Sequence, residues 1–379
     1  QALQISGSAT TLSVVLFART LPLVVLALLA GAITDRLPRR TVMVGSDLVR
    51  AAAVSALAIL TATGRLEVPH LVALGAAFGA AEAFFTPSIY AIYADVVPSD
   101  LLLQANALRS TSTTLAENLI GPAVGGVLVA AVGTTWAFWA DAASFAASLV
   151  SLSLIRVAAA ERSEPGRLLT NVREGLSFTR AQTWLWVSMV MTAASNFFLS
   201  GPLRVAIPVL VEENLHAGSA ALGAVYASLG AGGLIAVLAA GQIGVTRRRT
   251  ALMYVSWTAA GLFAAVAGLV PRLGVVAVMA GGVGFGLGLG NVLWFTLVQQ
   301  LLPKRMLGRV FSVDMLVSTG LLPASIAASG PVAGAVGGPA TLVVGGVASA
   351  AATALALTRR GALGPDRVPS EGLASSNRR

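Results

Sequence analysis

A membrane-embedded bundle of α-helices, built from two repeated halves, is the fold class that three features of this sequence predict. Hydrophobic residues make up 56% of the chain and charged residues only 11%, far from the roughly 25% charged residues of a soluble domain. Apolar stretches of about twenty residues, the length that crosses a bilayer as a helix, recur along it. They lack the period-two alternation of strands, and a backbone cut off from water must satisfy its own polar groups, so helices are the solution. Third, sequence features recur at a spacing of about 210 residues, the mark of an internal duplication.

Eleven apolar stretches follow one another at 10–32, 42–63, 71–94, 104–132, 136–155, 184–211, 220–244, 250–270, 274–301, 310–336 and 339–358. The first five, with residues 1–156, form an N-terminal bundle; the last six, 184–358, form a C-terminal bundle. Residues 157–183 are the one long polar connection. Within it Ala158 to Gly166 reads as flexible, while Leu169, Val172, Leu176 and Thr179 stand at helical spacing and predict a short interfacial helix. The tail 359–379, rich in Pro, Ser, Gly and Arg from Gly361 onward, is expected to be disordered and cytoplasmic.

The repeat rests on three correspondences. Gly121-Pro122-Ala123-Val124-Gly125 in the fourth stretch returns as Gly330-Pro331-Val332-Ala333-Gly334 in the tenth. Gly31 before its Arg-rich turn is matched by Gly241 before Arg247, Arg248 and Arg249, and the turn at Pro98 by that at Pro303. The same offset puts the counterpart of the stretch at Trp184 ahead of Gln1. The expectation is therefore eleven of twelve transmembrane helices, the first one missing.

Basic residues fall on alternate loops: Arg36, Arg39 and Arg40; Arg156, Arg162, Arg167, Arg173 and Arg180; Arg247 to Arg249; Lys304, Arg305 and Arg309; and the tail from Arg359. The intervening loops hold little beyond Arg65 and Arg272. By the positive-inside bias the rich loops and the C-terminus lie in the cytoplasm of a multi-pass plasma-membrane protein. The net charge of +9 then reports orientation and attraction to anionic lipid of the bilayer, and no nucleic-acid partner is expected. One lysine, Lys304, among 25 basic residues points to GC-rich coding and a bacterial source. Without Cys, and with only His70 and His216 in loops, no disulfide, metal site or cofactor is expected. No nucleophile, base and orienting group cluster anywhere, so the chain does not read as an enzyme.

Two motifs carry a resemblance. Gly31, Asp35, Arg36, Arg39 and Arg40 form Gly-x-x-x-Asp-Arg-x-x-Arg-Arg in a tight turn between spans, and Gly121-Pro122-x-x-Gly125-Gly126 lies inside the fourth stretch. There Pro removes a backbone bond and the glycines admit a neighbouring helix. The first resembles the loop between helices two and three of the major facilitator superfamily, with Thr34 and Pro38 departing from the usual Ala and Gly. The second is similar to the antiporter motif of its exporters. Ala83 to Pro87, Leu103 to Leu108, Val172 to Leu176, and Leu302-Pro303 leading to Gly308 to Ser312 resemble the enterobactin-exporter and macrolide-efflux branch. The resemblance implies a major facilitator fold of two pseudo-symmetric bundles and proton-driven export by alternating access. It also implies that Gly31, Asp35, Arg36, Arg39, Arg40 and Asp95 form a cytoplasmic gate. The span at 71–94 departs in lacking the intramembrane Arg of many drug antiporters.

Charges within the spans are costly unless paired or wetted. Glu82 and Glu117 fall near mid-membrane and Asp141 in the outer part of its helix; these three are the candidate proton-coupling residues, Glu82 first. Arg19 is placed to pair with Glu82 or Glu117. Asp47 and Arg50, three apart on one helical face, predict a structural ion pair. Asp47 and Asp314 fall toward the cytoplasmic side. Phe85, Asn118, Asn196, Phe197, Asn291 and Trp294 are the candidate substrate-path residues, suited to stacking and a few hydrogen bonds. Trp136 and Trp184, near span ends, read as interfacial anchors. Gly282, Gly286 and Gly290 recur every four residues and predict close helix packing rather than a phosphate loop.

The resulting expectation is a monomeric secondary transporter that exports a small amphipathic organic compound, a drug, siderophore or secondary metabolite, in exchange for protons. The alternative is a non-transporting binding or sensor protein, or an inactive truncated transporter.

Overall fold

The structure, a computed structural model, describes residues 1–34, 37–96, 115–155, 168–243, 248–359 and 361–367, with residues 108 and 112. Among the described residues every regular element is helical. A short helix α1 (Ala2–Ser6) leads into α2 (Ala9–Thr34), α3 (Arg39–Ala62) and α4 (Val68–Val96). A π-helical turn, Leu115–Ile120, runs directly into α5 (Gly121–Val132), followed by α6 (Thr134–Leu154). The linker helix is α7 (Leu168–Ala181). Then come α8 (Thr183–Val209), ending in a π-helical turn Leu210–Asn214, α9 (Gly218–Ile243), α10 (Arg249–Leu269) and α11 (Leu273–Leu301). The last are α12 (Lys304–Gly320) and α13 (Leu322–Thr358).

Among the described residues nine helical stretches are long and apolar enough to cross a membrane. The difference from eleven has two sources. Most of 101–114 lies outside the described residues, leaving α5 short, and the tenth and eleventh stretches run together from Arg309 to Thr358. Their join is a bend at Gly337, whose φ of 82° and ψ of 164° suit a residue without a Cβ. The stretch 310–336, expected as one helix, is instead broken at Leu321 between α12 and α13. Pro323, in the first turn of α13, accounts for the break: it has no N–H to continue the hydrogen-bond ladder from α12.

Helices α2 to α6 pack as one bundle and α8 to α13 as another. They meet along two seams, α2 against α13 and α5 against α9. Both seams are built from small residues that let backbones touch. A side chain on Gly330 would collide with Ser13, and one on Gly126 would stand 2.7 Å from the Ser219 carbonyl. Both seams lie toward the end of the molecule that carries the Gly7, Gly133 and Gly337 turns, opposite the Arg-rich turns. Within the second bundle the Gly282, Gly286, Gly290 face of α11 lies against Phe263, Ser256 and Trp257 of α10, while Gly281, Gly284 and Gly288 face α9. The glycine-rich run is thus a two-sided packing surface.

Helix α7 is seated on α12: a Cβ on Gly175 would meet the Arg309 carbonyl at 2.6 Å, and Glu174 pairs with Arg309 at 2.6 Å. Its Leu176 and Phe178 pack against the core of the second bundle. The tail expectation is corrected at its start. Gly361 to Arg367 form a turn and a 3₁₀ helix, with Ala362 fully buried in that same core. The Asp366 carboxylate accepts hydrogen bonds from the Thr250 and Ala251 N–H groups, 2.9 and 3.0 Å. These are among the unpartnered donors at the positive end of α10, so the tail supplies that helix with its cap. Residues 368–379 lie outside the described residues.

Candidate functional site

The first polar cluster grows from a helix crossing. Gly79 of α4 has no room for a side chain, because a Cβ there would collide with the Arg19 carbonyl of α2. Gly75, one turn earlier, stacks against the same stretch of α2. This contact sets the Arg19 guanidinium over the Phe78 ring at 4.7 Å and its Nη2 3.2 Å from Glu82 Oε2. The Arg19 side chain is 50% exposed and that of Glu82 30%, so the pair is not sealed inside the bundle. The pair is thus a polar link between α2 and α4.

The second cluster is buried. Arg50 and Asp47 of α3 form a close ion pair, and Ser148 Oγ of α6 donates to Asp47 Oδ2 at 2.6 Å. The Arg50 guanidinium lies 4.0 Å from the Phe85 ring centroid and 5.0 Å from that of Phe145, and its Nε has no hydrogen-bond partner. Ring faces therefore complete its surroundings. Phe78 stands edge-on to Phe145 at 5.8 Å, so the two charged pairs share one aromatic wall. Phe85, expected on a substrate path, is half-buried in this cage.

The remaining expected residues of the first bundle divide three ways. Asp141 is exposed on α6, with the Ser144 hydroxyl bonded to its backbone carbonyl at 2.7 Å. Asp35 and Arg36 lie outside the described residues; Gly31 and Asp95 are helical, as are Glu117 and Asn118 of the π-helical turn, but their side chains are not described. Arg39 opens α3. Arg40 donates from Nε to the Leu152 carbonyl and from Nη2 to that of Ser153, both at 2.8 Å. It thereby neutralises the exposed carbonyls at the negative end of α6.

The Gly121, Pro122, Gly125, Gly126 motif starts where the π-helical turn ends. Gly121 is required there because a Cβ would strike the Ala116 carbonyl, and Pro122 cannot continue the hydrogen-bond ladder. Gly126 and the Pro122 carbonyl then meet Gly223 of α9, while Gly125 faces open space. The motif is thus a kink followed by a seam between the bundles.

In the second bundle, α7, α8 and α12 enclose an open cavity of about 430 Å³. Apolar side chains form its walls, among them Met189, Phe197, Phe198 and Val317, with Trp186 at its edge. Its volume falls in the range of small-molecule sites. The Ser325 hydroxyl shapes the α8 wall: it donates to the Phe197 carbonyl and accepts from the Gly201 N–H at 2.8 Å. A side chain inserted between these two partners opens the helix ladder at that turn. One residue earlier, Asn196 Nδ2 reaches the Ser318 carbonyl at 3.5 Å, at the broken end of α12.

Two expected path residues are placed otherwise. Trp294 is 4% exposed and packs in the core of the second bundle, its ring 6.2 Å from that of Trp184, so it lines no open path. Trp184, expected as an interfacial anchor, is half-buried in the same contact. Asn291 is exposed on α11. Sequence reasoning missed Gly75 and Gly79, whose four-residue spacing one turn before Glu82 was the available signal. It also passed over Phe78 and Phe145, ordinary aromatics in an apolar helix until folding sets them beside arginines.

Comparison with known proteins accords with this architecture. The family described as transmembrane secretion effectors matches residues 2–370. The multidrug efflux pump Tap of Mycolicibacterium fortuitum is 27% identical over 343 residues, 88% of this chain and 83% of that protein. Macrolide efflux protein A of Streptococcus pyogenes is 23% identical over 329 residues, 86% and 81% of the two chains. Among solved structures the nucleoside transporter NupG superposes with a TM-score of 0.67 at 13% identity, covering 92% of this chain and 90% of that one. At that identity the likeness concerns the fold. With two helical bundles joined along small-residue seams and a family match over nearly its whole length, the chain belongs to the transmembrane secretion effector family, within the efflux branch of the major facilitator superfamily.

Proposed function

We propose that this protein exports a small amphipathic organic compound from the cytoplasm in exchange for protons, by alternating access between its two bundles. The observation that carries the reading is the half-exposed Arg19–Glu82 pair. It lies on α2, further from the seam end than the Ser13 contact with α13, at a crossing of two helices of the first bundle. The multidrug and macrolide efflux relatives support a substrate that is apolar with a few polar groups. The cavity beside Phe197 and Phe198 offers aromatic surface for such a compound.

In this scheme the Arg-rich turns and C-terminus face the cytoplasm of the plasma membrane, and Gly31, Asp35, Arg36, Arg39, Arg40 and Asp95 form the cytoplasmic gate. The protein works as a monomer. The seams at the opposite end favour a state open toward the cytoplasm, ready to load. Glu82 takes up a proton when the outer side opens, frees Arg19, and returns it inside; Glu117 and Asp141 are secondary proton sites. The antiporter-like motif at Gly121, Pro122, Gly125 and Gly126 serves as the pivot against α9.

Everted membrane vesicles with ethidium supplied in the medium test this. A proton gradient should drive ethidium accumulation, and an uncoupler should abolish it. Glu82→Gln keeps the shape and hydrogen bonding but removes the titrating group, so it should stop gradient-driven transport while insertion and ethidium binding persist. Undiminished transport by Glu82→Gln, with unchanged pH dependence, would remove Glu82 from the coupling scheme.

A further inference from the structure

One hydroxyl of α13 enters the backbone hydrogen bonding of α8. The carbonyl of Phe197 and the N–H of Gly201 stand four residues apart, the two ends of one helical rung. Ser325 Oγ lies between them, donating to the carbonyl and accepting from the N–H at 2.8 Å. The next rung is also altered, because Pro202 has no N–H to offer the Phe198 carbonyl. Two successive rungs therefore depart from the regular ladder within one turn, and a helix changes direction most easily where its ladder is interrupted.

Helix α13 touches this turn with the segments on either side of its Gly337 bend. Before the bend, a Cβ on Gly201 would stand 2.3 Å from both the Ser325 carbonyl and Ser329 Oγ. After it, a Cβ on Gly345 would stand 2.5 Å from the Phe198 carbonyl, and the Ser349 and Ser195 hydroxyls meet at 2.6 Å one turn earlier on α8. The turn is thus packed backbone to backbone, with the Ser325 hydroxyl as the polar group set into it.

The same turn carries two rings of the cavity. Phe197 and Phe198 both line it, edge to face at 5.4 Å. Its other walls are apolar side chains, so the directions of rings, rather than hydrogen bonds, decide which compound fits. Ser325 is 1% exposed and lies outside those walls. Its effect on a bound compound passes through the α8 backbone.

We infer that Ser325 is a positioning residue of this cavity: its hydroxyl, set into the Phe197–Gly201 rung, fixes the directions of Phe197 and Phe198 and so the fit of planar aromatic compounds. Without the hydroxyl the carbonyl and N–H are left to close on each other, and the rings turn with the backbone. The inference rests on the reading of the cavity as a substrate site. Purified protein in lipid nanodiscs, with 4-fluorophenylalanine placed at position 197 by stop-codon suppression, tests it by fluorine NMR and ethidium binding. Added ethidium should shift the fluorine signal. Ser325→Ala should move that signal in the absence of ethidium and weaken ethidium binding about fivefold, the equivalent of one hydrogen bond. Ser329→Ala is the matched control: its hydroxyl donates to the Ser325 carbonyl of its own helix, so both readouts should keep their wild-type values. A wild-type signal or a wild-type affinity in Ser325→Ala would overturn the inference, as would equal changes in Ser329→Ala. A fluorine signal that ethidium leaves unmoved would also overturn it, by taking the cavity out of substrate binding, while leaving gradient-driven export intact. Protein that gives the expected shifts yet moves no ethidium under a proton gradient would overturn the exporter reading alone. Should Ser325→Ala misfold, Ser325→Cys takes its place: a larger, weakly bonding sulfur in the same rung should change both readouts, and wild-type values in both would overturn the assignment.

Discussion

The N-terminal bundle holds itself together around charge, and the C-terminal bundle around the absence of side chains. In the first, Arg19, Glu82, Asp47 and Arg50 form two ion pairs against the rings of Phe78, Phe85 and Phe145. In the second, glycines and serines bring backbones into contact: α11 against α9 and α10, α10 against α13, and α8 against α13. Lipid tails are as apolar as leucine, so a membrane protein gains little from hydrophobic contact between helices and must rely on close packing and polar links. The two halves weight these means differently, the first adding ion pairs to the close glycine contact of Gly79 with Arg19. Packing ties the helices of the C-terminal bundle backbone to backbone, while ion pairs link those of the N-terminal bundle through side chains.

The largest effect should come from breaking the buried pair. Arg50→Ala leaves Asp47 in the aromatic cage with only Ser148 as partner, and loss of one member of a buried pair costs about 3–5 kcal/mol. Thermal unfolding in detergent should show a strongly lowered midpoint, with much of the loss recovered when Asp47→Asn is added. An unaltered midpoint in Arg50→Ala would mean that the cage contributes no stability and that the contrast between the bundles is misplaced.

Glycine packing in the C-terminal bundle should give the next largest effect. A methyl group on Gly284 would collide with the Leu229 carbonyl of α9, so Gly284→Ala must separate the helices, an overpacking cost of about 1–3 kcal/mol. Gly125→Ala, where nothing stands within 4 Å, is the matched control and should stay within about 0.5 kcal/mol of wild type. Equal midpoints for the two variants would show that α9 and α11 are not in close contact.

The smallest effect concerns the tail. Asp366→Ala removes the carboxylate that caps α10, a loss of about 1 kcal/mol. Limited proteolysis should then release the residues after Thr358 more readily. If cleavage there is unchanged, the cap does not hold the tail.

Much of this was legible in the chain. The apolar stretches announced most of the spans, because helix length in a bilayer is set by its thickness and not by partners. The pairing of Asp47 with Arg50 followed from three-residue spacing on one helix. The Gly282, Gly286, Gly290 face predicted close packing, since four-residue recurrence puts small residues on one side. The break at Leu321 was less readable: Pro323 signalled it, but Pro22 and Pro87 sit inside unbroken α2 and α4. Trp294 was assigned to an open path because a mid-span tryptophan suits either a cavity or a core, and only its contact with Trp184 decides.

The sequence by itself determined that this is a membrane protein of two repeated helical halves, and through its motifs that it belongs among the facilitators. Those properties follow from local quantities: hydrophobicity per residue, helix length, and residue spacing within a turn. Which of Arg19's possible partners it meets and which face of α11 touches which neighbour were decided only by the tertiary structure. Each depends on residues far apart in the chain meeting across helix crossings, 63 positions apart for Arg19 and Glu82. The angle and register of a crossing are set by every side chain along it, and no local pattern encodes them.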